Sequence, residues 1–202
     1  MKLDEDINYI VSGLERSGTS MMMQILKAGE IPTSFDDSRL PDQNNPKGYY
    51  ELEGGKIINK LMDGSFKIEK YKGKFIKITA YGLRYLPPGK YKIIYSERNI
   101  DEILDSMEKM IGKKDDNREE TRETFVKLNE LVKSGITDRD DIDVIFANYN
   151  DILQNPEGNI EKIIDFLELP KEIFNKMIEA IDSRLYRNRR TWKTIIIIWM
   201  IN

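Results

Sequence analysis

The residues best suited to chemistry lie in one run: Tyr9-Ile10-Val11-Ser12-Gly13-Leu14-Glu15-Arg16-Ser17-Gly18-Thr19-Ser20-Met21-Met22-Met23. Gly13 and Gly18 bracket a loop that contains Arg16 and Ser17, and hydroxyls follow at Thr19 and Ser20. The aromatic and β-branched residues before Gly13 predict a short strand, and the apolar run after Gly18 predicts a helix ending near Gly29. A tight glycine loop between strand and helix turns several backbone N–H groups inward at the positive end of a helix dipole, where phosphate or sulfate is received. The expected chemistry is the clamping of a doubly charged anion by amides, hydroxyls and the Arg16 guanidinium.

The glycine spacing is that of a nucleotide P-loop, which should continue with Lys and then Ser or Thr. Here Thr19 and Ser20 follow instead. A P-loop kinase or ATPase uses that lysine to reach the β- and γ-phosphates and a hydroxyl to hold Mg²⁺. Its absence leaves Arg16 as the loop's cation and counts against such a phosphotransferase. The chain has no cysteine and no histidine. Disulfides, thiolate metal sites and thiol or imidazole catalysis are thereby excluded, and any general base is Asp, Glu, Lys or Tyr.

The string Ser12 to Ser20 resembles the 5′-phosphosulfate loop of the P-loop sulfotransferases, which use 3′-phosphoadenosine 5′-phosphosulfate (PAPS). Glu15 stands where that family usually has proline, and is expected to point to solvent. A second match lies at Arg98 and Ser106, an arginine at a strand end and a serine eight residues on, which is the family's 3′-phosphate signature. A guanidinium fork fits phosphate geometry and a hydroxyl adds a donor, so the pair would tell a 3′-phosphate from a bare ribose hydroxyl. The alternative is that Arg98 pairs with Asp101 or Glu102 on the surface.

The resemblance also implies a base and an electrostatic helper. In the tyrosylprotein class an acid at about the position of Asp37 deprotonates the acceptor, with an arginine after it, here Arg39. Other lineages place a glutamate later, which makes Glu51 the second candidate. Without that role, Asp36 and Asp37 cap a turn and Glu51 opens a helix. Lys77 matches by position the lysine that steadies charge on the sulfuryl group, or is a solvated strand lysine. Tyr149 of Tyr149-Asn150-Asp151-Ile152-Leu153 matches a tyrosine near the adenine, or packs structurally, and Asn150 replaces the usual acid. The cofactor-binding set is therefore Arg16, Ser17, Gly18, Thr19, Ser20, Arg98, Ser106 and Tyr149, with Asp37, Lys77 and Arg16 catalytic and no metal required. The basic cluster Arg187, Arg189 and Arg190 either closes over the phosphates or is an exposed tail.

These residues need elements to position them. Ile31-Pro32-Thr33-Ser34 reads as a short second strand near an edge. A long polar stretch to Glu51 follows, of the kind that is often functional. A helix is expected over 53–63, a strand from Lys74 to Thr79, and a strand from Tyr91 to Arg98. Asn99 reads as an N-cap, opening a helix that buries Ile100, Ile103, Leu104 and Met107 and carries Ser106 on its flank. Lys113 to Glu123 is a charge run, read as a solvated face, before a helix with Phe125, Leu128 and Val132 inward. Asp141 to Phe146 reads as another buried strand, with helices after it over Ile160–Leu169 and around Ile173–Ile181. Met21, Met22 and Met23 are read as core filling.

At 202 residues with 40% apolar and 33% charged content, the chain is one ordinary hydrophilic domain, taken as residues 1–190 with a divergent tail over 191–202. A net charge of −3 argues against sequence-independent binding along nucleic acid. The apolar run Ile195 to Ile201 is far shorter than a membrane span, and no cleavable signal is visible, so a cytoplasmic protein is expected. The resemblance implies a three-layer α/β fold of the P-loop type with a central parallel sheet. It also implies transfer of a sulfuryl group from PAPS to a hydroxyl or amine of a small-molecule, glycan or peptide acceptor. Two rivals remain: a P-loop ATP/GTP-dependent kinase with Glu97 imitating a Walker B acid, and a catalytically inactive nucleotide-binding or interaction protein on the same scaffold.

Overall fold

Four parallel strands carry the site: β1 (Asn8–Gly13), β2 (Phe75–Lys77), β3 (Tyr91–Glu97) and β4 (Ile142–Asn148), in the order β2-β1-β3-β4. The structure, a computed structural model, describes residues 2–182. The basic cluster at 187–190 and the tail at 191–202 lie outside the described residues. β1 is the hinge of the topology: Tyr9 pairs with Phe75 on one side and Lys92 on the other. The chain therefore winds first to one side of β1 and then to the other, which opens a crevice at the strands' carboxyl ends.

Parallel strands need both faces covered, and every residue of β1 is buried. Side chains alternate between the two layers, as the period of a strand requires. Ile10, Ile76, Ile93 and Tyr95 face a core shared with α2 (Ile57–Met62), α3 (Ile100–Ile111) and α4 (Arg118–Thr137). Tyr9, Val11, Phe75 and Ile94 face the other, shared with α1 (Thr19–Ala28), α5 (Tyr149–Gln154), α6 (Pro156–Phe166) and α7 (Phe174–Glu179). Met22 and Met23 are fully buried here, whereas Met21 is only partly so. The three-layer α/β architecture is the one expected. Among the described residues no helix is long and apolar enough to cross a membrane.

Several local expectations are corrected. The strand expected at Ile31–Ser34 is a single bridge from Thr33 to Phe75. Pro32 lends only its carbonyl, to Phe75 N at 2.8 Å, and has no N–H to extend a ladder. The helix expected over 53–63 breaks into a 3₁₀ turn at Glu53–Gly55 and the short α2, because Gly54 and Gly55 take positive φ of 62° and 84°. The strand at Ile142 is an edge and not buried throughout: Phe146 is 38% exposed, under Lys133. The charge run does not stay wholly solvated. Arg118 starts α4 and is tied to Asp105 at 2.7 Å and Glu108 at 2.8 Å on α3. Asn99 does cap α3, its Oδ1 accepting from Asp101 N at 2.9 Å and Glu102 N at 3.3 Å, and Gly112 ends the helix in the left-handed conformation.

Candidate active site

The loop from Gly13 to Gly18 sits at the carboxyl end of β1 and feeds α1. Gly18 is the N-cap at φ 105° and supplies no side-chain cap, so the first amides of α1 are left without an internal side-chain acceptor among the described residues. A Cβ at Gly18 would run into the Tyr149 ring, and one at Gly13 into the Ser96 carbonyl and the Ser17 hydroxyl. Arg16 also has positive φ, at 65°, a conformation that costs a non-glycine residue about 1–3 kcal/mol. The Ser17 hydroxyl is buried and makes no hydrogen bond among the described residues. Uncapped amides, a strained arginine and compact glycines together make a turn of the kind that can receive an anion. Glu15 is exposed on the rim of the cavity beside it.

The second arginine comes to the same place. Arg98 donates from Nη1 to the Arg16 carbonyl at 3.1 Å, and Arg16 donates from Nε to the Ser106 hydroxyl at 3.0 Å. Arg98 lies over the Tyr149 ring, 4.5 Å from its centroid, close enough for a cation–π contact. It pairs with Glu102 at 3.1 Å, but as a buried pair and not the surface pair considered from the sequence. Burial raises the Tyr149 phenol above its ordinary pKa, with the Arg98 charge pulling the other way.

The third corner is built around Lys77, the last residue of β2. Its ammonium pairs with Glu51 Oε1 at 3.0 Å, donates to the Ser20 hydroxyl at 3.3 Å, and donates to the Tyr49 carbonyl. Burial pushes the Lys77 pKa below the usual lysine value, and Glu51 opposes that shift. Arg39 closes on Glu51 from outside at 3.1 Å while stacking on the Tyr49 ring, 3.5 Å from its centroid. The Tyr49 hydroxyl donates to Asp42 at 2.9 Å, which fixes the polar loop over the crevice.

A cavity of about 220 Å³ joins these corners. It is lined by Arg16, Gly18, Thr19, Ser20, Lys77, Arg98, Ser106 and Tyr149, so the residues expected at the nucleotide meet in one place, with Ser17 buried behind them. Of the two candidate bases, Glu51 lines the cavity and Asp37 does not; Asp37 is exposed on the loop outside. Its neighbour Asp36 caps the loop by accepting from Glu53 N at 2.7 Å. Sequence reasoning missed Asn44 and Lys109, which also line the cavity. Lys109 was findable, since it stands one helical turn beyond Ser106. Asn44 was not, because it reaches the cavity only through the fold of an irregular loop.

A model of the sulfotransferase domain matches residues 6–195, and the chain belongs to that family of sulfuryl-transferring enzymes. No curated protein matches. Among solved structures, retinol dehydratase in complex with androsterone and the inactive cofactor PAP aligns with 92% of this chain and 67% of its own, at 18% identity and TM-score 0.52. A mouse sulfotransferase complexed with PAP aligns with 96% of this chain and 69% of its own, at 13% identity and TM-score 0.50. The sulfotransferase domain of the Synechococcus olefin synthase aligns over 94% and 85%, at 14% identity and TM-score 0.51. At such identities these likenesses speak to the fold, and they agree with the expected α/β class.

Proposed function

We propose that the cavity takes PAPS as sulfuryl donor, with the 5′-phosphosulfate in the Gly13–Gly18 cradle and the 3′-phosphate between Arg98 and Ser106. The observation that carries this is the contact of Arg16 with both Arg98 and Ser106, which makes one continuous cationic wall of two phosphate sites. The donor brings the activated sulfuryl group, and the chain's own residues bind, orient and move one proton. Arg16, Lys77 and the first amides of α1 neutralise charge on the sulfuryl and on the phosphate that departs. Tyr149 offers a face for the base of the nucleotide, held flat by Arg98.

Glu51 acts as the general base in this reading, in place of Asp37. It lines the cavity with its side chain 11% exposed, paired with Lys77 at 3.0 Å and Arg39 at 3.1 Å. The acceptor O–H or N–H gives its proton to Glu51 as the acceptor atom bonds to sulfur and the sulfur–oxygen bond to the 5′-phosphate breaks. The acceptor is a small molecule, glycan or peptide carrying such a group. The test is transfer: protein, PAPS and a mixture of phenols, sugars and amines are incubated and read by mass spectrometry. A mass increase of one sulfuryl group on an acceptor, absent without PAPS, is expected. Cofactor bound with no modified product across a broad panel would instead favour an inactive binding protein on this scaffold.

A further inference from the structure

Glu102 is a carboxylate that the transfer chemistry does not use, yet it is 1% exposed and is the one acid among the buried polar and charged side chains described. Its Oε2 accepts from Arg98 Nε at 3.1 Å and its Oε1 from Asn150 Nδ2 at 3.3 Å. Arg98 is thus held along its Nε edge by Glu102, at Nη1 by the Arg16 carbonyl, and on its face by the Tyr149 ring. Three contacts in different directions leave the guanidinium plane little freedom. Burying an ion pair this deeply costs desolvation that an apolar pair of the same size would avoid, so such a pair is weak evidence for stability. Asn150 adds to the case. An acid at that position would face the Glu102 carboxylate, whereas the amide donates to it, and Asn150 follows directly on the tyrosine that carries the guanidinium.

We propose that Glu102 is a positioning residue that fixes the Arg98 guanidinium so that the chain selects a nucleotide carrying a 3′-phosphate over one with a bare 3′-hydroxyl. The proposal rests on the nucleotide reading above. Its signature is a ratio: affinity for 3′-phosphoadenosine 5′-phosphate over affinity for adenosine 5′-phosphate, measured by calorimetry. Glu102→Ala removes the hold on Nε and should cut the ratio about tenfold, equivalent to about 1.4 kcal/mol, with adenosine 5′-phosphate affinity little changed. Glu102→Gln is the rescue. Its amide oxygen accepts from Arg98 Nε, and a half-turn of the Asn150 amide brings Oδ1, which is buried without a hydrogen bond among the described residues, round to accept from its N–H. That variant should keep the ratio within about threefold of wild type.

A merely structural Glu102 would lower the melting temperature and weaken both nucleotides together. A folded Glu102→Ala protein with the wild-type ratio overturns the proposal. Should that variant fail to fold, Asn150→Ala removes the second hold on Glu102 and is expected to lower the ratio about threefold, and an unchanged ratio there overturns it equally. A wild type that does not discriminate between the two nucleotides refutes the nucleotide reading itself, and this inference with it.

Discussion

Arg16 gives its Nε–H to the hydroxyl of Ser106 at 3.0 Å, across 90 residues of sequence. The contact joins the loop after β1 to the flank of α3, and Arg98 is tied to the same arginine through its carbonyl. The two proposed anion sites look independent in the sequence and share a wall. A bisphosphorylated ligand that spans them meets cations, hydroxyls and helix amides already in place, so little ordering remains to be done on binding.

Glu51 and Asp37 separate the two possible bases cleanly. Glu51→Gln should lower turnover by about 10²–10⁴ while nucleotide affinity stays near wild type, because the proton acceptor is lost but the anion cradle is not. Asp37→Asn should leave turnover within about twofold, as expected of an exposed loop position. Steady-state kinetics beside calorimetry for each variant checks both. The reverse ranking would return the role to Asp37.

Lys77 gives a pH signature. Burial holds its folded pKa below that of a free lysine. The stability arising from that shift is fully present above the unfolded value, about 10.4, and is lost as pH falls through the folded value. Unfolding free energy of wild type minus that of Lys77→Met should therefore rise with pH in this alkaline window. Tyr91 and Tyr95, which burial also raises, titrate in both proteins and cancel in the difference. Urea titrations from neutral pH upward make the measurement. A flat or falling difference would mean that Lys77 carries no lowered pKa.

Gly18 is fixed by two constraints at once, φ at 105° and the Tyr149 ring where a Cβ would go. Gly18→Ala should cost about 1–3 kcal/mol of stability from backbone strain alone. It should also weaken nucleotide binding by more than Gly112→Ala, whose φ is 75° but whose Cβ would meet nothing within 4 Å. Paired denaturation and calorimetry on the two variants tests this.

Much of the frame was legible because it rests on local pattern. The aromatic and β-branched run of β1, the Asn99 cap and the glycine spacing of the loop each act over a few residues, and each matches the structure. The lining of the cavity was legible where a residue lies at the end of a regular element, as Arg98 and Lys77 do. It was not legible in the loop from Phe35 to Glu51. There, counting residues singles out Asp37, while the backbone, crossing over itself through Asp36, Asp42 and Tyr49, puts Glu51 inside. The buried Glu102 was hidden for a related reason. Its spacing from Arg98 reads as a surface helix pair, and only the fold, which brings Asn150 against its other oxygen, shows that it is buried.

The central claim is that the two anion sites grip one nucleotide by both ends. Its most direct test is calorimetry of 3′-phosphoadenosine 5′-phosphate and adenosine 5′-phosphate against wild type and Arg98→Ala. The account predicts that wild type favours the bisphosphate by about 10–100-fold and that Arg98→Ala abolishes this preference, the loss of a charge-assisted hydrogen bond being worth about 1.5–3 kcal/mol. Equal affinity of wild type for the two nucleotides, or a preference that survives in Arg98→Ala, would contradict it.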